Sequence, residues 1–129
     1  MSIDDLIQRA TEARTRAHAP FSKFFVGAAL VDENGRVFTG CNIENASYGL
    51  TLCAERVAVF KAISEGAGRL EQMAIVADTP ILTPPCGACR QILWEFMGDA
   101  QITLANLAGR RESVRLSEMF PRAFDASFL

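Results

Sequence analysis

Residues 24–43, "FFVGAALVDENGRVFTGCNI", decide the fold. Two apolar stretches, 24–31 and 36–43, flank Asp32-Glu33-Asn34-Gly35, and an Asn-Gly pair suits a tight turn that needs positive φ. The spacing therefore predicts an antiparallel hairpin. Before it, Ser2 and Asp5 make a capping-box-like start, and Ile3, Leu6, Ile7, Ala10, Ala13 and Ala17 recur at helical spacing until Pro20 stops the pattern. After it, residues 53–65 turn helical and nearly all apolar, with Gly66 as the C-terminal stop, which implies a helix buried on most sides. "QMAIVAD" (72–78) reads as a buried strand, and "CGACRQILWEFM" (86–97) as a second apolar helix ended by Gly98. "QITLAN" (101–106) is another strand, and "NLAGR" (106–110) turns into a short fifth near "ESVRL" (112–116). The order α-β-β-α-β-α-β-β predicts an α/β protein, a three-layer α-β-α sandwich around a mixed five-stranded sheet. Residues 1–129 read as one domain without repeat or linker.

A chain of 129 residues with 50% hydrophobic content is long enough for one real core and short for two. A net charge of −2 provides no basic field, which argues against a nucleic-acid partner and for a small soluble substrate. The start, "MSIDDLIQRA", is acidic and amphipathic rather than a cationic leader, and no run approaches the roughly 20 apolar residues that span a bilayer. The expectation is a cytoplasmic protein with no membrane partner, in which four cysteines serve metal or catalysis rather than disulfides.

Those cysteines are placed for chemistry. Cys53 opens one predicted helix; Cys86 and Cys89, in "PPCGACRQ" (84–91), open another. A helix N-terminus carries about half a positive charge and unpaired N–H groups, so it stabilises thiolates, the form that binds zinc. Cys86 and Cys89 share a helix face and can hold one ion together. Three thiolates then fill three tetrahedral positions, and a catalytic zinc keeps the fourth for water. In "CAER" (53–56), Glu55 sits in the first turn, where a carboxylate reaches such a water without being a ligand. Zinc with three thiolates is net negative, and Arg56 is the candidate to compensate it from behind the sulfurs. Two other readings of the cysteines are open at this point: a dithiol redox pair in "CGAC", and a closed structural zinc site with Cys41 or His18 as fourth ligand. Cys41 itself, ending an apolar strand, reads as a small buried residue. The tail "MFPRAFDASFL" (119–129) is too apolar to stand free in water, so it docks on its own core or seals an interface.

Taken together, "CNIENASYG" (41–49), "CAER" and "PPCGACRQ" resemble the signature of the short, homotetrameric, zinc-dependent cytidine deaminases, over about residues 17 to 124. The resemblance implies a cytidine deaminase-like catalytic domain with one Zn²⁺ per subunit on Cys53, Cys86 and Cys89, and Glu55 as the catalytic acid/base. It implies a nucleoside held by Phe24, Asn42, Glu44 and Ala54, with Asn42 and Glu44 on the ribose. It also implies that Ala46, Tyr48 and Phe124 reach a neighbouring subunit's site in a homotetramer. The implied activity is hydrolytic deamination of cytidine and 2′-deoxycytidine to uridine and 2′-deoxyuridine with release of ammonia, a step of pyrimidine salvage. Two alternatives stand beside it: a deaminase of aminoacyl-nucleoside antibiotics of the blasticidin S type, and a noncatalytic zinc-stabilised assembly module. His18 stands where tyrosine is common, and the tail ends soon after Phe124.

Overall fold

In a computed structural model that describes residues 1–129, the strands are β1 (Val26–Asp32), β2 (Val37–Cys41), β3 (Leu70–Ala77), β4 (Gln101–Ala105) and β5 (Arg111–Arg115). The helices are α1 (Ile3–Arg14), α2 (Ala54–Ser64), α3 (Gly87–Met97) and α4 (Leu116–Met119). The sheet runs β2-β1-β3-β4-β5. Only β3 and β4 are parallel, because α3 carries the chain back across the sheet between them; the other neighbours are antiparallel. The mixed five-stranded sheet is the one the sequence predicts.

The hairpin forms with Leu30 opposite Phe38 and Val31 opposite Val37. Its turn differs in detail from a two-residue Asn-Gly turn. Gly35 takes positive φ (81°) and Asn34 does not, so the loop has three residues and ends in one left-handed glycine. Buried Asp32 fastens it: its carboxylate accepts from the backbone N–H groups of Asn34, Arg36 and Gly68, tying the hairpin to the α2–β3 connection. Burial pushes this carboxyl up. The bonds from Gly68, Arg36 and Asn34 and the Arg36 charge outweigh it and hold the group below the usual carboxylate range.

Alternation along β1 separates two cores. Val26, Ala28 and Leu30 face Ala58 and Val59 of α2, Leu93 of α3 and the neighbouring Met73, Ile75 and Ile102. Ala29 and Val31 point the other way, onto Leu6 and Ala10 of α1 with Ala74, Val76 and Ala105. Three layers result, as the sequence predicts.

Ser2 caps α1 by accepting from Asp5 N, the expected start. The helix ends at Arg14, so Ala17 falls in the following turn. Gly66 (φ 75°) and Gly98 (φ 61°) follow α2 and α3 at the predicted stops. One expectation fails: α2 is not buried on most sides, since Phe60 and Ile63 are 41% and 44% exposed. Ala54, Glu55, Ala58, Val59 and Ala62 are its buried residues. The four-residue α4 is too short to leave a periodic signal.

Candidate active site

Backbone pairing assembles the site. Ile43 and Leu52 exchange two backbone hydrogen bonds, which sets Asn42 and Glu44 beside the segment that enters α2 at Cys53. His18 donates its N–H to Asn42 O at 2.9 Å and accepts from Glu44 N at 2.8 Å, fixing both flanks of the same stretch. Across the gap, the chain leaves β3 and returns to start α3 at Cys86.

Cys53 is the N-cap of α2 and Cys86 the N-cap of α3, and neither cap position makes a side-chain hydrogen bond to its helix. Their sulfurs take the place of a capping oxygen at two helix N-termini, where negative charge is stabilised. Cys89, one turn into α3, completes a trio whose Sγ atoms all lie within 4.8 Å of one another. Cys53 and Cys86 sulfurs are 3.9 Å apart. Two thiolates bound to tetrahedral zinc at about 2.3 Å each stand about 3.8 Å apart, so the donor set fits that ion. Cys41 is half-buried in β2 and outside this trio.

Arg56 lies beside the sulfurs. Its Nη2 donates to Cys53 Sγ and to Thr51 O, each at 3.4 Å, and its buried Nε has no partner among protein atoms. The Cys53 thiol is drawn down to about 5, first by a hydrogen bond from Cys89 and then, against burial, by the Arg56 hydrogen bond and charge and by Cys86. Cys89 is pushed up by that same bond, by burial and by the charges of Glu55 and Cys53. A divalent cation binding all three sulfurs displaces the thiol protons that remain on them. Glu55, in the first turn of α2, is 5% exposed. Burial, foremost, pushes its carboxyl up to about 7; its own backbone N–H opposes this and the Cys53 charge adds to it.

The trio opens into a cavity of about 430 Å³ lined by Phe24, Asn42, Glu44, Cys53, Ala54, Glu55 and Cys86 among others. Seven of the residues singled out in the sequence are therefore brought together, with Cys89 and Arg56 at the metal end. At the other end, Glu44 Oε1 accepts from Phe21 N and Ser22 N at 3.0 and 3.1 Å, and Oε2 accepts from the Ser22 hydroxyl. That Ser22 hydroxyl bond, with the backbone bonds and nearby His18, holds the Glu44 carboxyl low against burial. Asn42 is buried, its Oδ1 accepting from Val26 N at 2.9 Å and its Nδ2 donating to Phe24 O at 2.7 Å. Ala46, Tyr48 and Phe124 lie outside this cavity on the surface. Tyr48 is 64% exposed and packs edge-on against Phe21, while Phe124, 56% exposed, stacks on Phe128.

Several contributors carried no signal in the sequence. Ser22, Thr51, Ile75 and Thr83 also line the cavity, and His18 acts through its backbone; only the fold brings them there. A more open, polar cleft of about 370 Å³ lies at the other end of the sheet, where Arg69 and Arg115 are paired with Glu71 and Asp99. It contains no nucleophile and no metal-ligand cluster.

The family described as the cytidine and deoxycytidylate deaminase zinc-binding region matches residues 1–105. The cytidine deaminase of Halalkalibacterium halodurans is 52% identical over 122 residues, covering 94% of this chain and 92% of that protein. That of Sporosarcina psychrophila is 46% identical over 125 residues, covering 96% of this chain and 92% of its own. The crystal structure of cytidine deaminase from Burkholderia pseudomallei superposes with a TM-score of 0.93 at 43% identity, covering 96% of this chain and all of that one.

Proposed function

The chain belongs to the zinc-binding cytidine and deoxycytidylate deaminase family, and from that premise we propose how its residues share the reaction. The reaction is hydrolytic deamination of cytidine and 2′-deoxycytidine: water adds at C4, the C4–N bond breaks, and uridine or 2′-deoxyuridine leaves with ammonia. Cys53, Cys86 and Cys89 hold one zinc ion per subunit, and zinc, when bound, supplies the Lewis acidity that makes water nucleophilic near neutral pH. Glu55 is the acid/base. Its carboxylate takes one proton from the attacking water and delivers it to N3, then takes the remaining proton from the new C4 hydroxyl and gives it to the departing amine. The observation that carries this reading is a buried carboxyl, raised to about 7, beside three clustered sulfurs on a nucleoside-sized cavity. A group titrating there can both accept and return a proton at neutral pH.

Arg56 offsets the negative charge of the thiolates. Phe24 and Ala54 line the pyrimidine's part of the cavity, and Asn42 with Glu44 binds the sugar. Three of the four lone-pair directions on Glu44 are taken, as is one of the two N–H groups on Asn42. A single sugar hydroxyl can donate to the free direction of Glu44 and accept from the free N–H of Asn42. One hydroxyl uses both, so a second is not demanded, which supports turnover of ribo- and deoxyribonucleosides alike. Ala46, Tyr48 and Phe124 serve a neighbouring subunit's site in a homotetramer; their exposure away from their own cavity supports this. A single domain over 1–129 working in the cytoplasm fits four unpaired cysteines and the lack of any helix long and apolar enough to cross a membrane.

Glu55→Ala tests the assignment. The variant is expected to keep about one zinc per chain while kcat on cytidine falls at least about 10²-fold. A zinc-loaded variant with an undiminished rate would remove Glu55 from the chemistry.

A further inference from the structure

The segment from Asp78 to Pro85 delivers Cys86 to the metal end of the cavity and places Thr83 and Pro84 in its wall. It is neither helix nor strand. Three of its eight residues are prolines (Pro80, Pro84 and Pro85), which have no N–H to donate. None of the 26 backbone–backbone hydrogen bonds outside the helices and strands begins or ends between Asp78 and Pro85. Side chains hold this segment instead. At its far end Arg90 Nε donates to Pro85 O at 2.9 Å, and the same guanidinium donates to Met119 O. At its near end the β4–β5 turn reaches across: Asn106 Nδ2 donates to Thr79 O at 3.0 Å. Thr79 is stitched in turn to Thr83 by a hydroxyl pair at 2.9 Å. Asn106 is itself fixed, because its Oδ1 accepts from Ala108 N and Arg110 N, each at 3.0 Å. The amide therefore bridges an organised turn and a segment whose backbone is otherwise held only by Arg90 at Pro85 O and by a longer bond from Arg110 Nη1 to Pro80 O at 3.5 Å.

We propose that Asn106, acting through Thr79 and Thr83, is a positioning residue for the metal centre, holding the Asp78–Pro85 segment so that Cys86 stays in register with Cys53 and Cys89. The inference rests on the reading of Cys86 as a zinc ligand. Partners bonded directly to a ligand typically cost 10- to 100-fold in affinity when removed, and this more distant support is expected at the low end of that range.

Asn106→Asp isolates the tether. The carboxylate keeps the acceptor that organises the β4–β5 turn but sets an oxygen, not an N–H, against Thr79 O. Zinc release from the holoenzyme to a chromophoric chelator is expected to be about tenfold faster than in the wild type. Thr79→Val, which removes the hydroxyl pair with Thr83, moves release in the same direction and decides the matter if Asn106→Asp does not fold. Ser113→Ala breaks the Thr103–Ser113 hydroxyl pair elsewhere on the β4–β5 hairpin and leaves release unchanged. Wild-type release rates in the folded tether variants would overturn the proposal, as would equal acceleration by Ser113→Ala. A wild-type protein that binds no zinc would overturn the ligand assignment and this inference with it.

Discussion

At Cys53 one residue is asked to be an anion, a helix cap and a ligand, and its neighbours show how that is made tolerable. The α2 N-terminus and the Arg56 guanidinium both face its sulfur, so charge on the thiolates is offset from the protein side before any ion arrives. Arg56→Gln removes a full positive charge while keeping much of the side chain's length. Zinc affinity, read by chelator competition, is expected to fall about tenfold; unchanged affinity would show that the helix ends suffice. This scale was the most legible in the sequence, since Cys53-Ala-Glu55 and Cys86-x-x-Cys89 are local patterns whose spacing already implies a shared face. Ser22 and His18 were not legible as partners of Glu44 and Asn42, because they act across long loop separations and the hydrogen bonds of His18 run through its backbone.

At the scale of elements, two glycines set how closely helices lie on the sheet. A Cβ on Gly40 of β2 would stand 2.5 Å from Ala54 O and 2.6 Å from Ala58 N, in the turns of α2 that follow Cys53. A Cβ on Gly27 of β1 would meet Ala10 O at 2.0 Å and Arg14 N at 2.6 Å, on α1 and the opposite face. Both substitutions to alanine are expected to destabilise by about 1–3 kcal/mol or more through overpacking, measured by urea unfolding. Only Gly40→Ala displaces Cys53 and Glu55, so it alone should also lower zinc retention and kcat. Equal loss of zinc from Gly27→Ala would contradict that division. The hairpin and helices α2 and α3 were readable because period and stop signals agree, as at Gly66 and Gly98. The exposure of Phe60 and Ile63 was not, since apolar composition reports a need for cover without saying what provides it.

Across the whole molecule, that missing cover becomes the main feature of the surface. Phe60 and Phe96 pack edge to face with ring centroids 6.3 Å apart, yet both remain about two-fifths exposed on α2 and α3. Apolar groups of this size left in water suit an interface, and the proposed homotetramer would supply one. Light scattering should return about four times the 14.1 kDa chain mass; a stable, fully active monomer would exclude any need for a neighbour's Tyr48 or Phe124. Chain-to-chain contacts leave no trace in one chain's periodicity, so the sequence spoke to them only through its apolar tail and through resemblance to a family. The central claim, that three sulfurs hold one ion and leave a position for exchangeable solvent, is tested most directly by replacing zinc with cobalt and recording the absorption spectrum with and without uridine. Three thiolates and an open position predict a sulfur charge-transfer band of three-thiolate intensity and ligand-field bands that shift when the product binds. A four-ligand spectrum indifferent to uridine would contradict it.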